Sequence, residues 1–325
     1  MTLMRRQKGV ALLYVLMIFA VITVMSSRML SDLWLHTSQN TSYLERVQAK
    51  QYALGAEQYA AFLLEEDAKS DNEQGDLSDN ESEVWNIKQV AYEVEQGALS
   101  INVIDASSKL NLNGLLLDEN KRRQYAEVIK RLLRNLEQKQ DLVMAMEDWL
   151  DDNQEPLAQG AEDNTYLMAA PAYRAADTEF ASVSELRLID GVSHEVYLKL
   201  LPYFTALPVN NSVNLNTAPE EVLLALSDNL TEEDVLGLIN LRADQRLASM
   251  EDLHVLTGLK NKLGAQKAFP MAFNSHYFLV YAHAQYRDTD YYLQSLLYRS
   301  PDGKVSVLER EVGLNPDWKL KDEEV

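Results

Sequence analysis

The sequence predicts an α+β protein in which one long N-terminal helix packs on a small antiparallel sheet, with a large all-helical domain inserted between the strands. Three observations predict it. The chain opens on an apolar run that continues without Gly or Pro from Val10 to Leu54. Strand-type alternation occurs near residues 90–104 and again from residue 277 onward, while helix signals dominate between Asn111 and Phe269.

Arg5, Arg6 and Lys8 stand directly before the apolar run. Cationic residues stay on the cytoplasmic side while the apolar run enters the bilayer, so export of the downstream chain is the expectation. Beyond the run, Ser26, Ser27, Arg28, Met29 and Leu30 offer no small-x-small cleavage pattern, which favours retention in the membrane. Val10 to Ser27 rises roughly 27 Å as a helix, enough to cross a thin hydrocarbon core. After Arg28 the helix turns amphipathic, with Leu30, Leu33, Trp34, Leu44 and Val47 among polar residues, and it is expected to run to about residue 64. On physics alone, a one-span tether with a helical stalk accounts for this as well as any more specific reading.

The stretch "EEDAKSDNEQGDLSDNESE", Glu65 to Glu83, is poor in apolar residues and predicts a mobile surface loop. Val90–Glu95 and Leu99–Ile104 alternate around Gln96-Gly97 and predict a hairpin. Tyr277–Gln285, Tyr291–Tyr298 and Val305–Leu308 are aromatic and β-branched, separated by "RDTD" and "SPDG", and complete one sheet over 65–110 and 270–325. The inserted domain, 111–269, begins with Asp118 before "ENKRRQYAEVIKRLLRNL", whose Tyr125, Val128, Leu132 and Leu133 have helical spacing. Ser182 with Glu185 and Thr217 with Glu220 are predicted capping boxes; Thr231 with Asp234 and Ser249 with Asp252 repeat the arrangement with aspartate.

Fifty acidic residues against thirty basic ones give a net charge of −20, so nucleic acid is not an expected partner. Zero cysteines exclude disulfides and thiol chemistry. The five histidines are scattered without metal-ligand spacing, and no nucleophile stands at a recognisable spacing from a base. A structural or binding role is expected rather than an enzyme.

One cluster invites chemistry. "EDWLDDNQEPLAQGAEDNTY", Glu147 to Tyr166, comes after a helix and concentrates carboxylates in a loop containing Asn and Gly. Asp151, Asn153, Glu155 and Glu162 fall at positions 1, 3, 5 and 12 of an EF-hand count, but Pro156 replaces the required glycine, so no EF-hand is expected. The residues leave open a solvated acidic turn or a site for a hard divalent cation. For the cation, Asp151, Asp152, Glu162 and Asp163 are the foremost ligand candidates, with Asp148 behind them; Asp148 and Asp152 are four apart, and Gly160 lets the chain turn back toward Glu162.

The basic leader ending in Gly9, before a continuous apolar helix, resembles the prepilin leader of type IV pilins and type II secretion pseudopilins. The resemblance implies cleavage by a prepilin peptidase between Gly9 and Val10, with methylation of the new N-terminus an accompanying expectation. Most such proteins carry a glutamate at the fifth mature position, where this chain has Tyr14, an assembly position. That departure, the large size, and the segments "SELRLIDGVSHEVYLKLLPYF" and "VNLNTAPEEVLLAL" together resemble the minor pseudopilin K (general secretion pathway protein K) family. The resemblance implies a pilin-like body with an inserted helix-hairpin-helix, SAM-like domain, calcium in that domain, and the bacterial inner membrane as location, single-pass, with the globular part in the periplasm. It implies a pseudopilus-tip role in exporting folded proteins, with minor pseudopilins I and J, the major pseudopilin and the prepilin peptidase as partners. A tethered helix-hairpin-helix DNA-uptake protein and a type IV pilus minor pilin are the alternatives. The acidic turns Asp190-Gly191-Val192-Ser193 and Ser227-Asp228-Asn229-Leu230 argue against DNA.

Overall fold

The computed structural model describes residues 10–75, 77–88, 90–256, 258–264 and 269–313; the leader, Gly9 included, lies outside the described residues. Helix α1, Val10–Gln74, is 65 residues long, about 100 Å at 1.5 Å per residue. Its first half is exposed among the described residues and is long and apolar enough to cross a membrane. Its second half buries Ala49, Ala53, Ala56, Ala60 and Leu64, a three-and-four spacing that keeps one face on the sheet. Four alanines on that face let the helix axis lie close to the strands.

The sheet is five-stranded and antiparallel in the order β1 (Val90–Val94), β2 (Gly97–Asp105), β7 (Tyr277–Tyr286), β8 (Thr289–Arg299), β9 (Val305–Val312). Its α1-facing side contributes Ile101, Val103, Phe278, Val280, Ala282, Ala284, Leu293 and Leu297, with Trp85 from the preceding loop. At the β1–β2 turn Gln96 adopts φ 59°, and a Cβ on Gly97 would lie 2.9 Å from the Gln285 carbonyl carbon, so the glycine admits the neighbouring strand. Strands β2 and β7 pair along their length, Gly97 opposite Tyr286 through Asp105 opposite Phe278. The helical domain is therefore an insertion between two strands that are neighbours in space.

The expected mobile loop at 65–83 is corrected. Helix α1 continues ten residues beyond the expected end at 64, and Asp67, Asp71, Asp79 and Glu83 are buried, apart from a part-exposed Glu83 backbone. Composition read these acids as solvated because their cationic partners, Arg299 and Arg246, lie far along the chain.

The inserted domain has two halves built on one plan. Leu110-Asn111-Leu112-Asn113 and Val213-Asn214-Leu215-Asn216 each begin with a two-residue strand, β3 (Leu110–Asn111) and β5 (Val213–Asn214). Strand β3 pairs in parallel with β4 (Phe204–Thr205), and β5 with β6 (Met271–Ala272). The second asparagine of each motif closes its half: Asn113 Nδ2 donates to the Phe180 and Leu207 carbonyls, Asn216 Nδ2 to those of Leu247 and Phe273. These short strands were not expected in the helical region; two residues are too few for an alternation signal.

In the first half, α2 (Glu119–Asn135) is capped by Asp118, and α3 (Leu142–Leu150) and α5 (His194–Leu200) pack with it on one core. The second half contains α6 (Glu220–Ala225), α7 (Glu232–Asp244) and α8 (Leu259–Gly264). Two expected capping boxes form, Ser182–Glu185 and Thr231–Asp234. Thr217 does not cap: α6 starts after Pro219, and the Thr217 hydroxyl donates to the buried Asp105 carboxylate instead. At the Ser249–Asp252 pair, Asp252 accepts from the backbone of Ala248 and Ser249, while Glu251 precedes the 3-10 turn Asp252–Val255.

Candidate metal centre

Helix α3 delivers Asp148 on its inner face, fully buried, two residues before it ends at Leu150. The chain leaves through Asp151, whose Oδ1 accepts from the Asn153 backbone and side chain at 3.0 and 2.7 Å. It then folds back so that the Leu157 N–H donates to both Asp148 oxygens, at 3.3 and 3.1 Å. The Gly160 N–H closes the turn on the Leu157 carbonyl at 2.8 Å, and two residues later Glu162 enters, 1% exposed. Helix α4 (Asp163–Tyr166) starts at once and anchors the loop through Tyr166, packed edge-on against Trp149 at 5.3 Å.

One oxygen from each of Asp148, Asp151 and Glu162 lies within 4.8 Å of the others. Neither Glu162 carboxylate oxygen has a hydrogen-bond donor among the described residues. Burial pushes the Glu162 carboxyl up to about 7, reinforced by Asp148 and Asp151, and burial pushes Asp148 up to about 6. Three like charges with a donor-free buried member form an arrangement that costs stability until something positive enters it. A hard divalent cation with oxygen ligands fits this donor set.

The five ligand candidates separate. Asp148, Asp151 and Glu162 converge. Asp163 instead accepts from Arg174 Nη1 and the Ala175 N–H, both at 3.1 Å, and Asp152 is exposed outside the group. Asn153 and Glu155 do not join it either: Asn153 Oδ1 accepts from the Glu155 N–H at 2.7 Å in a local turn. Asp148, ranked last from the sequence, stands at the centre because α3 ends and the chain reverses over it. Tyr14, exposed on α1, and Val10 at its start are remote from this centre.

A second acidic group, Asp67, Asp71 and Asp79, had no signal in the sequence beyond the four-residue spacing of its first two members. Arg299 reaches Asp67 at 3.0 Å and also bonds Asp79; Arg246 reaches Asp71 at 3.2 Å and also bonds Glu83. Each of these acids already has a guanidinium partner. These pairs tie α1, the 75–89 connection, β8 and the helical domain together.

The helix-hairpin-helix turns are used internally. Gly191 takes φ 82° before Ser193 caps α5. At the second turn, Arg131 of α2 donates to the Ala225 and Leu226 carbonyls at 2.6 and 3.0 Å and pairs with Asp228, which Arg134 also engages. The second turn thus holds α2.

A long helix, exposed and apolar in its first half and packed on an antiparallel sheet in its second, is the architecture of a pilin-class subunit, here enlarged by a helical insertion. Comparison with known proteins agrees. Family models described as type II secretion system protein K match residues 108–209 and 213–269, the two halves of the insertion. The chain is 34% identical to the type II secretion system protein K of Pseudomonas aeruginosa, over 98% of this chain and 99% of that one. It is 32% identical to that of Pectobacterium carotovorum subsp. carotovorum, over 95% and 97%. The solved GspK-GspI-GspJ complex of enterotoxigenic Escherichia coli shares the fold at a TM-score of 0.73 and 22% identity, covering 85% of this chain and all of that one. The chain belongs to the type II secretion system protein K family.

Proposed function

We propose that this protein is a minor pseudopilin that stands at the tip of the periplasmic pseudopilus of type II secretion and supports export of folded proteins across the outer membrane. Its role is structural, with no catalytic step. The observation that carries the reading is the union, along nearly the whole chain of a protein K relative, of an exposed N-terminal half-helix with a bulky insertion. Tyr14 supplies no carboxylate for the N-terminal amine of a neighbouring subunit, and the insertion widens the body beyond what stacking within a slim fibre admits. Both properties suit an end position. The solved complex pairs its protein K with GspI and GspJ, which supports homologues of those two proteins as neighbours, joined through the long helices.

Maturation is proposed at the Gly9–Val10 bond, leaving α1 as a single-pass anchor in the inner membrane with the globular part in the periplasm. Mass spectrometry of the protein purified from membranes tests it: a mature chain beginning at Val10 is expected, and any other N-terminus removes the leader reading. Cross-linking along isolated pseudopili tests the tip. The protein is expected at one end only, and a Tyr14→Glu variant overexpressed without changing assembly, with protein found all along the fibre, would refute the placement.

Calcium is the proposed ion of the 148–162 loop, held by Asp148, Asp151 and Glu162, with a structural role. The donor-free buried Glu162 carboxylate supports it. Extracellular-type calcium sites bind at about 10⁻⁴ to 10⁻³ M, which matches an ion that steadies a loop rather than one that signals. A DNA-binding reading has no supporting observation, since Asp228 of the second hairpin turn is engaged by Arg131 and Arg134.

A further inference from the structure

We infer that Gly160 is the positioning residue of the cation centre: the space where its side chain would stand is occupied by the Asp148 carboxylate, and any larger residue drives that ligand out of the group. The inference rests on the calcium reading above and concerns what assembles the site.

A Cβ built on Gly160 would lie 2.7 Å from Asp148 Cγ and 3.2 Å from Asp148 Oδ1, and would collide outright with Oδ2. Carbon does not approach a carboxyl carbon that closely, so one of the two must move. The Gly160 backbone is not the obstacle. Gln159 (φ 72°) carries the left-handed conformation of this turn, whereas Gly160 lies outside that region. Glycine is needed here for space rather than for backbone freedom.

The surroundings decide which partner yields. Asp148 is fully buried on a helix whose neighbours Met146, Trp149 and Leu150 are core residues, so its Cα is fixed and only the carboxylate can swing. The turn above it is clasped by the Leu157 N–H to Asp148 and the Gly160 N–H to Leu157. A methyl group at 160 pushes the carboxylate away from both its Leu157 donor and the Asp151 and Glu162 oxygens. The loop can reclose with Asp148 displaced, but the three-oxygen group cannot. Contacts that orient ligands commonly control metal affinity by about 10- to 100-fold, and that is the scale expected here.

The experiment uses the full-length protein in detergent, with calcium titrated calorimetrically and melting followed with calcium and with a chelator. Gly160→Ala is expected to melt cooperatively in chelator near the wild-type temperature, while its calcium affinity falls by about tenfold or more and the calcium-induced rise in Tm is lost. Gly55→Ala, at an exposed glycine of α1 with no described residue outside its own helix turn within 4 Å of where its Cβ would stand, is the comparison and is expected to bind calcium as wild type does. If wild type itself binds no calcium, the calcium reading fails and takes this inference with it. If wild type binds and Gly160→Ala binds equally well, calcium stands and the role of Gly160 is overturned. Should Gly160→Ala fail to fold, the double variant Gly160→Ala/Asp148→Ala decides. Recovery of folding when the carboxylate is removed confirms the collision, and continued failure refutes it.

Discussion

Arg299, at the end of β8, donates to Asp67 of the long helix at 3.0 Å, with both side chains under a tenth exposed. The same guanidinium bonds Asp79 and the Ser275 carbonyl, so one side chain of β8 joins the long helix, the connection beyond it, and the segment that leads into β7 on the return from the insertion. Its ring neighbour is Phe278, with the guanidinium 4.9 Å from the ring centroid. The domain junction is electrostatic at its centre and apolar around it.

Removing Arg299 leaves two buried carboxylates without their cation. Arg299→Met is expected to destabilise by about 3–5 kcal/mol, because the desolvation cost of Asp67 and Asp79 remains when the attraction is gone. Arg299→Lys keeps the charge but loses the fork that serves two acids, and falls between. Equilibrium unfolding in urea measures both, and a loss under about 1 kcal/mol for Arg299→Met would show the pair to be dispensable.

The junction should also make stability pH-dependent. Burial raises Asp67 to about 6, with Asp71 adding to the effect, and burial raises Asp105 to about 6 and Glu83 to about 8. An acid with a raised folded-state value holds its proton more tightly when folded than when unfolded, so stability falls as pH rises from near 4 through the folded value. Melting temperature is expected to decline from about pH 5 toward pH 8. Asp234, lowered to about 2 by Lys262 and Thr231, acts in the opposite sense but only below about pH 4. Asp67→Asn should flatten the decline below about pH 6, and its difference from wild type separates the junction from the metal loop; an unchanged slope would assign the dependence elsewhere.

Helix α1 meets the sheet through small side chains, and Ala56 is 1% exposed. Ala56→Leu adds three carbons where none fit, and a loss of about 1–3 kcal/mol is expected, with the helix lifted from the strands. Ala61, half-buried at the margin of the same core, is the contrasting position. Ala61→Leu should cost less than about 0.5 kcal/mol. Thermal unfolding of the two variants side by side checks the difference.

At the 148–162 loop, the proposed calcium site predicts a calcium-induced rise in Tm that Glu162→Ala abolishes and Asp152→Ala leaves within error. The pair discriminates the convergent group from a general attraction to acidic loops, since both changes remove one charge from the same segment. Equal losses in the two variants would favour diffuse attraction.

Buried asparagines hold the insertion's halves. Asn113 accepts from the Phe180 N–H at 2.7 Å and donates to the Phe180 carbonyl at 3.0 Å. Asn113→Ala strands both backbone groups, at about 2–4 kcal/mol for two unsatisfied buried partners. Hydrogen exchange at the Phe180 amide, fast in the variant and protected in wild type, reports the break directly.

The apolar run, the strand alternation, most helix caps and the acidic loop were legible in the sequence because each depends on residues a few positions apart. The three hairpins of the sheet arise from period-two patterns and from turns such as Gln96-Gly97. The duplicated asparagine motif at 110–113 and 213–216 was also there to be read as a repeat, and both copies prove to start a half-domain. What tertiary structure alone decided is which charges meet. Glu65 to Glu83 has the composition of a solvated loop, and only the return of the chain through Arg246 and Arg299 turns part of it into helix and buries its acids. The convergence of Asp148 rather than Asp152 in the acidic loop has the same origin: helix α3 fixes one carboxylate inward, and a turn that closes over a glycine brings Glu162 to it. Local patterns are set by short-range sterics and hydrogen bonds, whereas the cost of burying a charge depends on partners that only the folded chain assembles.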